Sequence, residues 1–254
     1  MAGEVLVARR DAVQVITINR PEAKNALNAA VAERVAAAVD ELDDSDDLRA
    51  GVLTGAGGFF SAGMDLKAFL RGETPAIEGR GLCGITTTPP RKPMIAAVEG
   101  GALAGGFELV LACDLVVAGR SARLGVPEVK RSLVAAGGGA LLLPQRVPRA
   151  LALEMLLTGD PVDAERAAAM GLVNRVVDDG GAVEAAVELA TAIATNGPLA
   201  VATTKRIVQE VPGWAPSEAW GRQQDLIDPV FTSEDAREGA AAFAEKRAPV
   251  WKGR

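Results

Sequence analysis

The stretch from Arg91 to Glu128 constrains the fold of this chain more than any other. Met94 to Val98 is a short apolar run between a proline and a Glu-Gly-Gly turn, a pattern that predicts a buried strand. Glycine and alanine fill most of positions 100–106, which predicts a tight turn that opens a helix near Gly105. The apolar sequence resumes from Leu109 to Val117, so the expected order is strand, glycine turn, helix, strand and loop.

Glycines directly before a helix leave room for a ligand to approach the backbone closely. The first turn of the helix also offers unpaired N–H groups and the positive end of the helix dipole, so this segment is a candidate anion or oxyanion site. Glu108 lies one turn into the helix, and Glu128 lies in a Gly-Val-Pro-Glu loop after the next strand. Two carboxylates beside polarising N–H groups predict proton transfer around a carbonyl group.

The composition excludes several kinds of catalytic site. The chain contains no histidine and no tyrosine, which removes Ser-His-Asp and Cys-His sites, histidine-ligated metals and a tyrosine acid. Acid and base chemistry must therefore use Glu, Asp, Lys, Cys or the backbone. We expect no metal site and no separate cofactor.

Length and charge favour a globular protein that does not bind nucleic acid. With 254 residues, 49% of them apolar, the chain can bury a sizeable core, and its net charge of -6 offers no basic excess for phosphates. Cys83 and Cys113 lie far apart among apolar or small residues, which indicates reduced packing residues in a cytoplasmic protein. The N-terminus has no targeting pattern, and no apolar run approaches the roughly 20 residues of a membrane span.

Strand and helix patterns extend over the rest of the chain. Alternating residues predict a hairpin of Val5–Arg10 and Val13–Asn19, and an alanine-rich pattern predicts a helix over Ala29–Leu42 with Asn28 as its N-cap. Gly51–Gly55 is expected to be a short buried strand. Further helices are expected at residues 141–159, 164–170, 182–195, 199–210, 217–227 and 233–246, with an extended piece at 173–177.

The glycine-rich loop from Ala56 to Asp65 matches none of the three motifs that it first suggests. As a phosphate-binding loop it lacks the Lys-Ser/Thr pair, since Gly63 is followed by Met-Asp. As a nucleophile elbow it lacks the first glycine, and there is no histidine to activate Ser61. Neither this loop nor Gly100–Gly106 has the glycine spacing of a dinucleotide site.

Several segments carry motifs of one known protein family. They are PMIAAVEG at 93–100, AGGFEL at 104–109, CDL at 113–115, KNALN at 24–28, FSAGMDLK at 60–67, and residues 158–159, 167–176 and 238–247. With them, the chain resembles the enoyl-CoA hydratase/isomerase superfamily, also called the crotonase superfamily, over almost its whole length. The resemblance implies an α/β fold in which β-β-α units stack into a spiral. It also implies a core over residues 1–196 with the active site and a C-terminal helical region over 197–254 that mediates assembly, so a homotrimer or a dimer of trimers is expected.

The resemblance also assigns roles to individual residues. It implies that the N–H groups of Met64 and Gly105 bind the carbonyl oxygen of an acyl-CoA thioester, while Glu108 and Glu128 hold one water molecule. The implied reaction is the reversible hydration of a trans-2-enoyl-CoA to a 3-hydroxyacyl-CoA, with coenzyme A as part of the substrate. The residues implied in binding the substrate are Lys24, Ala26, Leu27, Ala62, Asp65, Leu66, Lys67 and, from a neighbouring subunit, Phe243 and Lys246.

Two other functions are alternatives to a hydratase. Family members that only shift a double bond often lack one of the two glutamates, so the presence of both favours a hydratase over an enoyl-CoA isomerase. A non-catalytic acyl-CoA-binding protein is the second alternative.

After Glu128 the chain departs from the family pattern. It has Val129–Gly139 where the family often has an aliphatic run and Pro-Gly-x-Gly-Gly, so the identity of the acyl group is not predicted. The polar segment 72–90 is expected to be mobile and to border the acyl pocket.

Overall fold

A computed structural model describes residues 3–254, which form an α/β fold. Its strands are β1 Val5–Arg10, β2 Val13–Ile18, β3 Ala50–Gly55, β4 Ala76–Ile77, β5 Gly81–Leu82, β6 Met94–Val98, β7 Gly101–Leu103, β8 Leu115–Gly119, β9 Arg123–Gly125, β10 Val162–Asp163 and β11 Arg175–Val177. Its helices are α1 Ala29–Asp44, α2 Leu66–Leu70, α3 Gly105–Ala112, α4 Gly139–Arg146, α5 Arg149–Thr158, α6 Ala164–Ala169, α7 Ala182–Ala194, α8 Pro198–Glu210, α9 Ala219–Phe231 and α10 Glu234–Glu245.

The largest sheet has the strand order β1-β2-β3-β6-β8-β11. β1 and β2 form an antiparallel hairpin, as the alternating pattern predicts, and the following pairs in this sheet are parallel. A second sheet has the order β10-β9-β7, and β4 pairs with β5. Because β3, β6 and β8 are parallel, the segments that follow them leave from the same edge of the large sheet.

The chain passes through these two sheets in repeated units. β6 lies in the large sheet, β7 lies in the second sheet, and α3 follows. β8 and β9 take the same two places in the next unit, and a short 3-10 helix at Pro127–Arg131 follows. Ser61 extends the second sheet through a parallel bridge to Ala102, so the segment after β3 takes this place one unit earlier. The predicted stack of β-β-α units is confirmed.

Both faces of the large sheet are covered, because alternate side chains of each strand point to opposite faces. Val13 and Val15 of β2 face α7, where Ala182, Ala186 and Ala190 are buried. Ile16 and Ile18 of the same strand belong to the cluster on the other face, which includes α1 and α3. The small alanine side chains allow the backbone of α7 to lie close to the sheet.

Helix α1 begins as the sequence predicts. The Oδ1 atom of Asn28 accepts a hydrogen bond from the N–H of Val31 at 2.8 Å, the usual geometry of an N-cap. The glycine segment at 100–106, however, is more than the expected tight turn, because it contains β7. The helix α3 then begins at Gly105, where the sequence places it.

The single helix predicted over residues 141–159 is wrong, because the structure divides it into two. α4 ends at Arg146 and α5 begins at Arg149. A residue before proline is driven out of the helical conformation by contact with the proline ring, and Val147 is extended, with φ -133° and ψ 158°. Pro148 then stands at the N-cap of α5.

Both cysteines are free and buried, as the sequence predicts. Burial raises the pKa of the Cys83 thiol to about 12, and burial also raises that of Cys113 to about 12. A thiol in this state is protonated at neutral pH and is a poor nucleophile. The two side chains are therefore packing residues.

The C-terminal helices are tied to the rest of the chain at a few points. Nζ of Lys205 in α8 lies 2.6 Å from Oδ2 of Asp114, and this lysine side chain is 8% exposed. Nε1 of Trp251 donates to the carbonyl of Thr195 at 2.8 Å. The N–H groups of Lys252 and Gly253 donate to Asp235 in α10.

Large aromatic side chains of α9 and α10 point into solvent. Trp220 is 81%, Phe231 75% and Phe243 88% exposed. These two helices therefore present apolar surface that the chain itself does not cover.

Within residues 3–254, no single helix combines the length and the apolar composition needed to cross a membrane. The helix α7 and the segment Pro198–Gly213 meet that requirement only when they are taken together as a pair bent by 109°.

Candidate active site

The N-terminus of α3 supplies one polar group of the candidate site. Ala104, directly before the helix, has φ 51° and ψ -129°, a conformation that a residue with a side chain rarely adopts. Such strain is found where the surrounding structure holds the backbone in place for a function. Gly105 is the first residue of the helix, and within residues 3–254 its N–H group donates to no acceptor.

Met64 supplies a second backbone N–H group beside it. Leu27 pairs with this segment on one side: its N–H donates to the carbonyl of Gly63, and its carbonyl accepts from Asp65, both at 2.8 Å. In such a ladder the residue between has its own N–H and carbonyl on the other side. The N–H of Met64 makes no hydrogen bond to any residue in the described part of the chain.

The two N–H groups come close because Gly63 has no side chain. A Cβ atom placed on Gly63 would lie 2.8 Å from the nitrogen of Gly105 and 2.8 Å from Cβ of Ala104. Gly63 also has φ +89°, in the region that favours glycine. Met64 and Gly105, predicted as a pair, therefore lie on two backbone segments in direct contact.

Glu108 is a buried carboxyl group held by the backbone. Its side chain lies on α3 and the residue is 3% exposed. Oε1 accepts a hydrogen bond from the N–H of Gly139 at 2.9 Å. Burial raises the pKa of Glu108 to about 6 from its ordinary 4.5, the N–H of Gly139 opposes that rise, and the charge of Glu128 adds to it.

Glu128 belongs to the same site. It is half-buried on the 3-10 helix Pro127–Arg131, and its Oε2 atom is buried without a hydrogen-bond partner in the described chain. Burial raises its pKa, while its own backbone N–H and the charge of Arg131 lower it. The charge of Glu128 also raises the pKa of Glu108, so the two carboxyl groups lie near each other.

Two glycines after Glu128 make room for Glu108, and this role was not predicted. A Cβ atom on Gly137 would lie 2.5 Å from Oε2 of Glu108, and one on Gly139 would lie 3.2 Å from Oε1. Gly139 also donates the N–H group that holds the carboxylate. The Gly-Gly-Gly run was visible in the sequence, but nothing in it names a partner 31 residues away.

Leu82 forms an apolar wall of the site and was also missed as an individual residue. Its Cδ2 atom would lie 3.4 Å from a Cβ on Gly105 and 3.0 Å from one on Gly137. Leu82 therefore brings the segment 72–90 next to the candidate site, and its place beside an acyl pocket stays a prediction. Leu82, Cys83 and Ile85 are buried, and only the outer part of this segment faces solvent.

Seven of the residues predicted to bind coenzyme A lie in the loops 24–27 and 62–67. Lys24, Leu66 and Lys67 are exposed, and Nζ of Lys24 lies 5.5 Å from the centre of the Phe59 ring. Ala26 and Ala62 are half-buried, and Leu27 is fully buried. Lys24 and Ala62 are joined by a backbone hydrogen bond of 2.9 Å, so the loops 24–27 and 62–67 form one surface.

Asp65 has a structural function in this surface. Its Oδ1 atom accepts from the N–H groups of Lys67 and Ala68 and caps α2, while Oδ2 lies 3.0 Å from Nη2 of Arg20. Burial raises the pKa of Asp65, but the hydrogen bonds from Ala68 and Arg20 outweigh it and the pKa is lowered. Both carboxylate oxygens are thus occupied within the chain.

Phe243 and Lys246 lie at the C-terminal end of α10, which packs against α9. Both side chains are exposed. Their predicted role depends on a neighbouring subunit.

This arrangement fits chemistry in which negative charge develops on a carbonyl oxygen while protons move nearby. Backbone N–H groups that are held in place before the reaction stabilise such an oxygen without reorganisation. Burial raises the pKa of both carboxyl groups, which favours proton transfer by them closer to neutral pH than an exposed glutamate allows.

Comparison with known proteins shows the family to which the chain belongs. A sequence model of the enoyl-CoA hydratase/isomerase family matches residues 8–254. Enoyl-CoA hydratase EchA19 of Mycobacterium tuberculosis is 43% identical over 99% of this chain and 97% of its own length. The carnitinyl-CoA dehydratase of Salmonella typhi is 40% identical over the whole of both chains.

Solved structures show the same likeness. The crystal structure of an enoyl-CoA hydratase from Mycobacterium tuberculosis H37Rv superposes with a TM-score of 0.98 at 58% identity, over the whole of both chains. That of a carnitinyl-CoA hydratase from Mycobacterium avium has a TM-score of 0.79 at 44% identity, again over both whole chains. The chain therefore belongs to the enoyl-CoA hydratase/isomerase family, and it is an enzyme with the crotonase fold of that family's hydratases and dehydratases.

Proposed function

We propose that this enzyme catalyses the reversible syn hydration of a trans-2-enoyl-CoA to a 3-hydroxyacyl-CoA. The observation that carries the proposal is the pairing of Glu108 and Glu128, two carboxyl groups of raised pKa, beside the unpaired N–H groups of Met64 and Gly105. Relatives named as hydratases and as dehydratases support both directions of this chemistry.

In the proposed reaction, each carboxyl group has one role in proton transfer and the two N–H groups bind the thioester oxygen. The ionised carboxylate of the pair takes a proton from water as the water oxygen bonds to the β-carbon, and the π electrons move onto the thioester oxygen. The N–H groups of Met64 and Gly105 stabilise that enolate oxygen. The protonated member of the pair then gives its proton to the α-carbon, which restores the carbonyl. No electrons pass to a cofactor, so coenzyme A takes part only as a portion of the substrate.

Two carboxyl groups favour a hydratase over the alternatives. An isomerase moves one proton between two carbons and needs only one base, whereas addition of water needs a proton acceptor and a proton donor together. A non-catalytic binding protein has no use for one buried and one half-buried carboxyl group, whose desolvation opposes folding. Incubation of enoyl-CoA in ¹⁸O-labelled water separates the three: only a hydratase places the label in its product.

Glutamine substitution tests the assigned pair. Glu108→Gln and Glu128→Gln should each lower kcat for hydration by about 100-fold or more, the scale of general acid–base catalysis, because an amide cannot exchange the proton. Binding of a saturated acyl-CoA, measured by calorimetry, should persist in both. Glu188→Gln, which changes an exposed residue of α7, is the matched control. If either active-site variant keeps turnover near that of the wild type, that residue has no role in the mechanism.

The raised pKa of Glu108 predicts that the same variant gains stability. A carboxyl group whose pKa rises from 4.5 to about 6 on folding stabilises the fold fully below pH 4.5, and this contribution is lost as the pH rises through about 6. At pH 8 the Glu108→Gln variant should therefore be more stable than the wild type by about 2 kcal/mol, and the difference should vanish near pH 4.5. Denaturant unfolding at both pH values checks this, with Glu188→Gln expected to show no such trend. A Glu108→Gln variant that is less stable at pH 8 would contradict it.

We place the coenzyme A portion on the surface formed by the loops 24–27 and 62–67. Lys24 and Lys67 are exposed there, and neither forms an ion pair with any residue of 3–254, so both can meet phosphate groups despite the acidic composition.

Lys67→Ala should weaken coenzyme A binding roughly fivefold at low salt, the scale of one exposed ion pair. The difference from the wild type should shrink at high salt because ions screen the interaction. Calorimetry at two salt concentrations measures both effects. Lys252→Ala, at an exposed lysine of the C-terminal tail, should bind as the wild type does. Equal affinity of Lys67→Ala and wild type for coenzyme A at low salt would show that the phosphates bind elsewhere.

We further propose that the enzyme assembles as a homotrimer or a dimer of trimers through its C-terminal helices. The uncovered aromatic residues of α9 and α10 support this, since water-exposed apolar patches of this kind commonly mark interfaces. A threefold arrangement would let Phe243 and Lys246 of one subunit reach the substrate of another.

Trp220→Asp should reduce the mass in solution from an oligomer to a monomer, because a charge at a buried interface position lacks compensation. Light scattering measures the mass. Leu157→Asp replaces a similarly exposed residue of α5 and should leave the oligomer unchanged. A wild type that is monomeric, or a Trp220→Asp variant that keeps the wild-type mass, would refute this interface.

A further inference from the structure

We propose that Ser61 is a positioning residue that holds the two backbone N–H groups of Met64 and Gly105 at their working separation. This inference rests on the proposed function, because it concerns how the enolate oxygen is stabilised. Ser61 is fully buried, begins the segment that carries Met64, and pairs with Ala102 in the segment that leads to Gly105.

The side chain of Ser61 fixes the segment that leads to Met64. Its Oγ atom donates to the carbonyl of Asn25 at 2.8 Å and accepts from the N–H of Gly63 at 3.1 Å. The carbonyl of Gly63 in turn accepts from Leu27. Both the N–H and the carbonyl of Gly63 are therefore hydrogen-bonded, and Met64 is the next residue in the chain.

The backbone of Ser61 fixes the segment that leads to Gly105. Its N–H donates to the carbonyl of Gly101 at 3.1 Å, and its carbonyl accepts from the N–H of Leu103 at 2.9 Å. It also approaches α3 so closely that a Cβ atom on Gly106 would overlap the Ser61 carbonyl oxygen. One residue thus contacts both arms of the oxyanion site.

Asn25 adds further hydrogen bonds to the loop that carries Ser61 and Met64. It is fully buried with φ 54°, and its Nδ2 atom donates to the carbonyls of Ala56 and Phe59 at 2.8 and 2.5 Å. The loop that begins at Ala56 is thereby attached to Asn25, and Ser61 then binds the carbonyl of the same residue. The network is built around this loop, which carries Met64.

Two N–H groups stabilise an oxyanion only when both lie near hydrogen-bond distance of the same oxygen, so the spacing of their segments matters. Without the hydroxyl of Ser61, the carbonyl of Asn25 and the N–H of Gly63 lose a partner inside the protein. These groups then shift to find other partners, and the N–H of Met64 shifts with them. A purely structural hydroxyl would change stability without this specific effect.

The test compares Ser61→Ala with the wild type by kinetics and by isotope-edited infrared spectroscopy of a bound saturated acyl-CoA carrying ¹³C at the carbonyl. We expect kcat to fall by about tenfold, with KM little changed, because misplacement affects mainly the transition state. The carbonyl stretch, lowered on binding to the wild type, should return part of the way towards its value in water. Ser61→Cys, with a weaker donor and acceptor, should lie between the two.

Thr54→Val is the matched control. Thr54 is buried in β3, and its Oγ1 atom donates to the carbonyl of Ala97 at 2.9 Å, so its loss also removes one buried hydroxyl hydrogen bond. We expect it to lower the Tm while kcat and the carbonyl stretch stay at wild-type values.

Several outcomes would overturn the role of Ser61. A Ser61→Ala variant with wild-type kcat and carbonyl stretch would show that the residue is structural only. If that variant does not fold, the same result in Ser61→Cys would overturn it. A wild type whose bound carbonyl stretch is unshifted would refute the oxyanion site itself. A wild type that hydrates no enoyl-CoA, yet shows the infrared difference between Ser61 variants, would refute the proposed reaction and support the positioning role.

Discussion

The rest of the site depends on a direct backbone contact between the loop 61–64 and the start of α3. This contact exists only because Gly63 and Gly106 have no side chains, since a Cβ atom at either position would overlap the opposing segment. The backbone at Ala104 is strained in the same place. Close packing in a protein interior does not absorb added atoms easily, so the separation of the two segments is fixed by the fold. The N–H groups of Met64 and Gly105 lie on these two segments, so their separation is fixed in the same way.

The pKa values of the two carboxyl groups result from a balance between burial and hydrogen bonding. A fully satisfied carboxylate would keep a low pKa, and an unsatisfied one would not stay ionised. Glu108 lies between these limits, because burial is opposed by one N–H group of Gly139. Glu128 is less buried, and the nearby charge of Arg131 favours its ionised form. The two carboxyl groups therefore have different surroundings, as the proposed separation into a proton donor and a proton acceptor requires.

Local sequence patterns predicted most of the elements, and the contacts between distant segments could not be predicted from them. The N-cap at Asn28 and the start of α3 at Gly105 depend on neighbouring residues, so they were predictable. The division at Pro148 was a local signal that the apolar pattern of residues 141–159 outweighed. The partner of Gly139 could not be predicted in this way, because its position near Glu108 follows from the folding of two separate units. The two charges of Asp65 and Arg20 are likewise brought together only by the tertiary structure.

The edge of the sheet that carries the site is also anchored from the opposite face. Glu99 directly follows β6, and its Oε1 atom accepts from the N–H of Ala182 at the start of α7 at 2.9 Å. A carboxylate at a helix N-terminus interacts favourably with the helix dipole. Its other oxygen lies where a Cβ on Gly119, at the end of β8, would be, so a larger residue cannot stand there. Since β6 leads through β7 to Gly105, this carboxylate connects α7 to the end of the strand that precedes the Gly105 part of the site, and it lies beside the end of β8, which leads through β9 to Glu128.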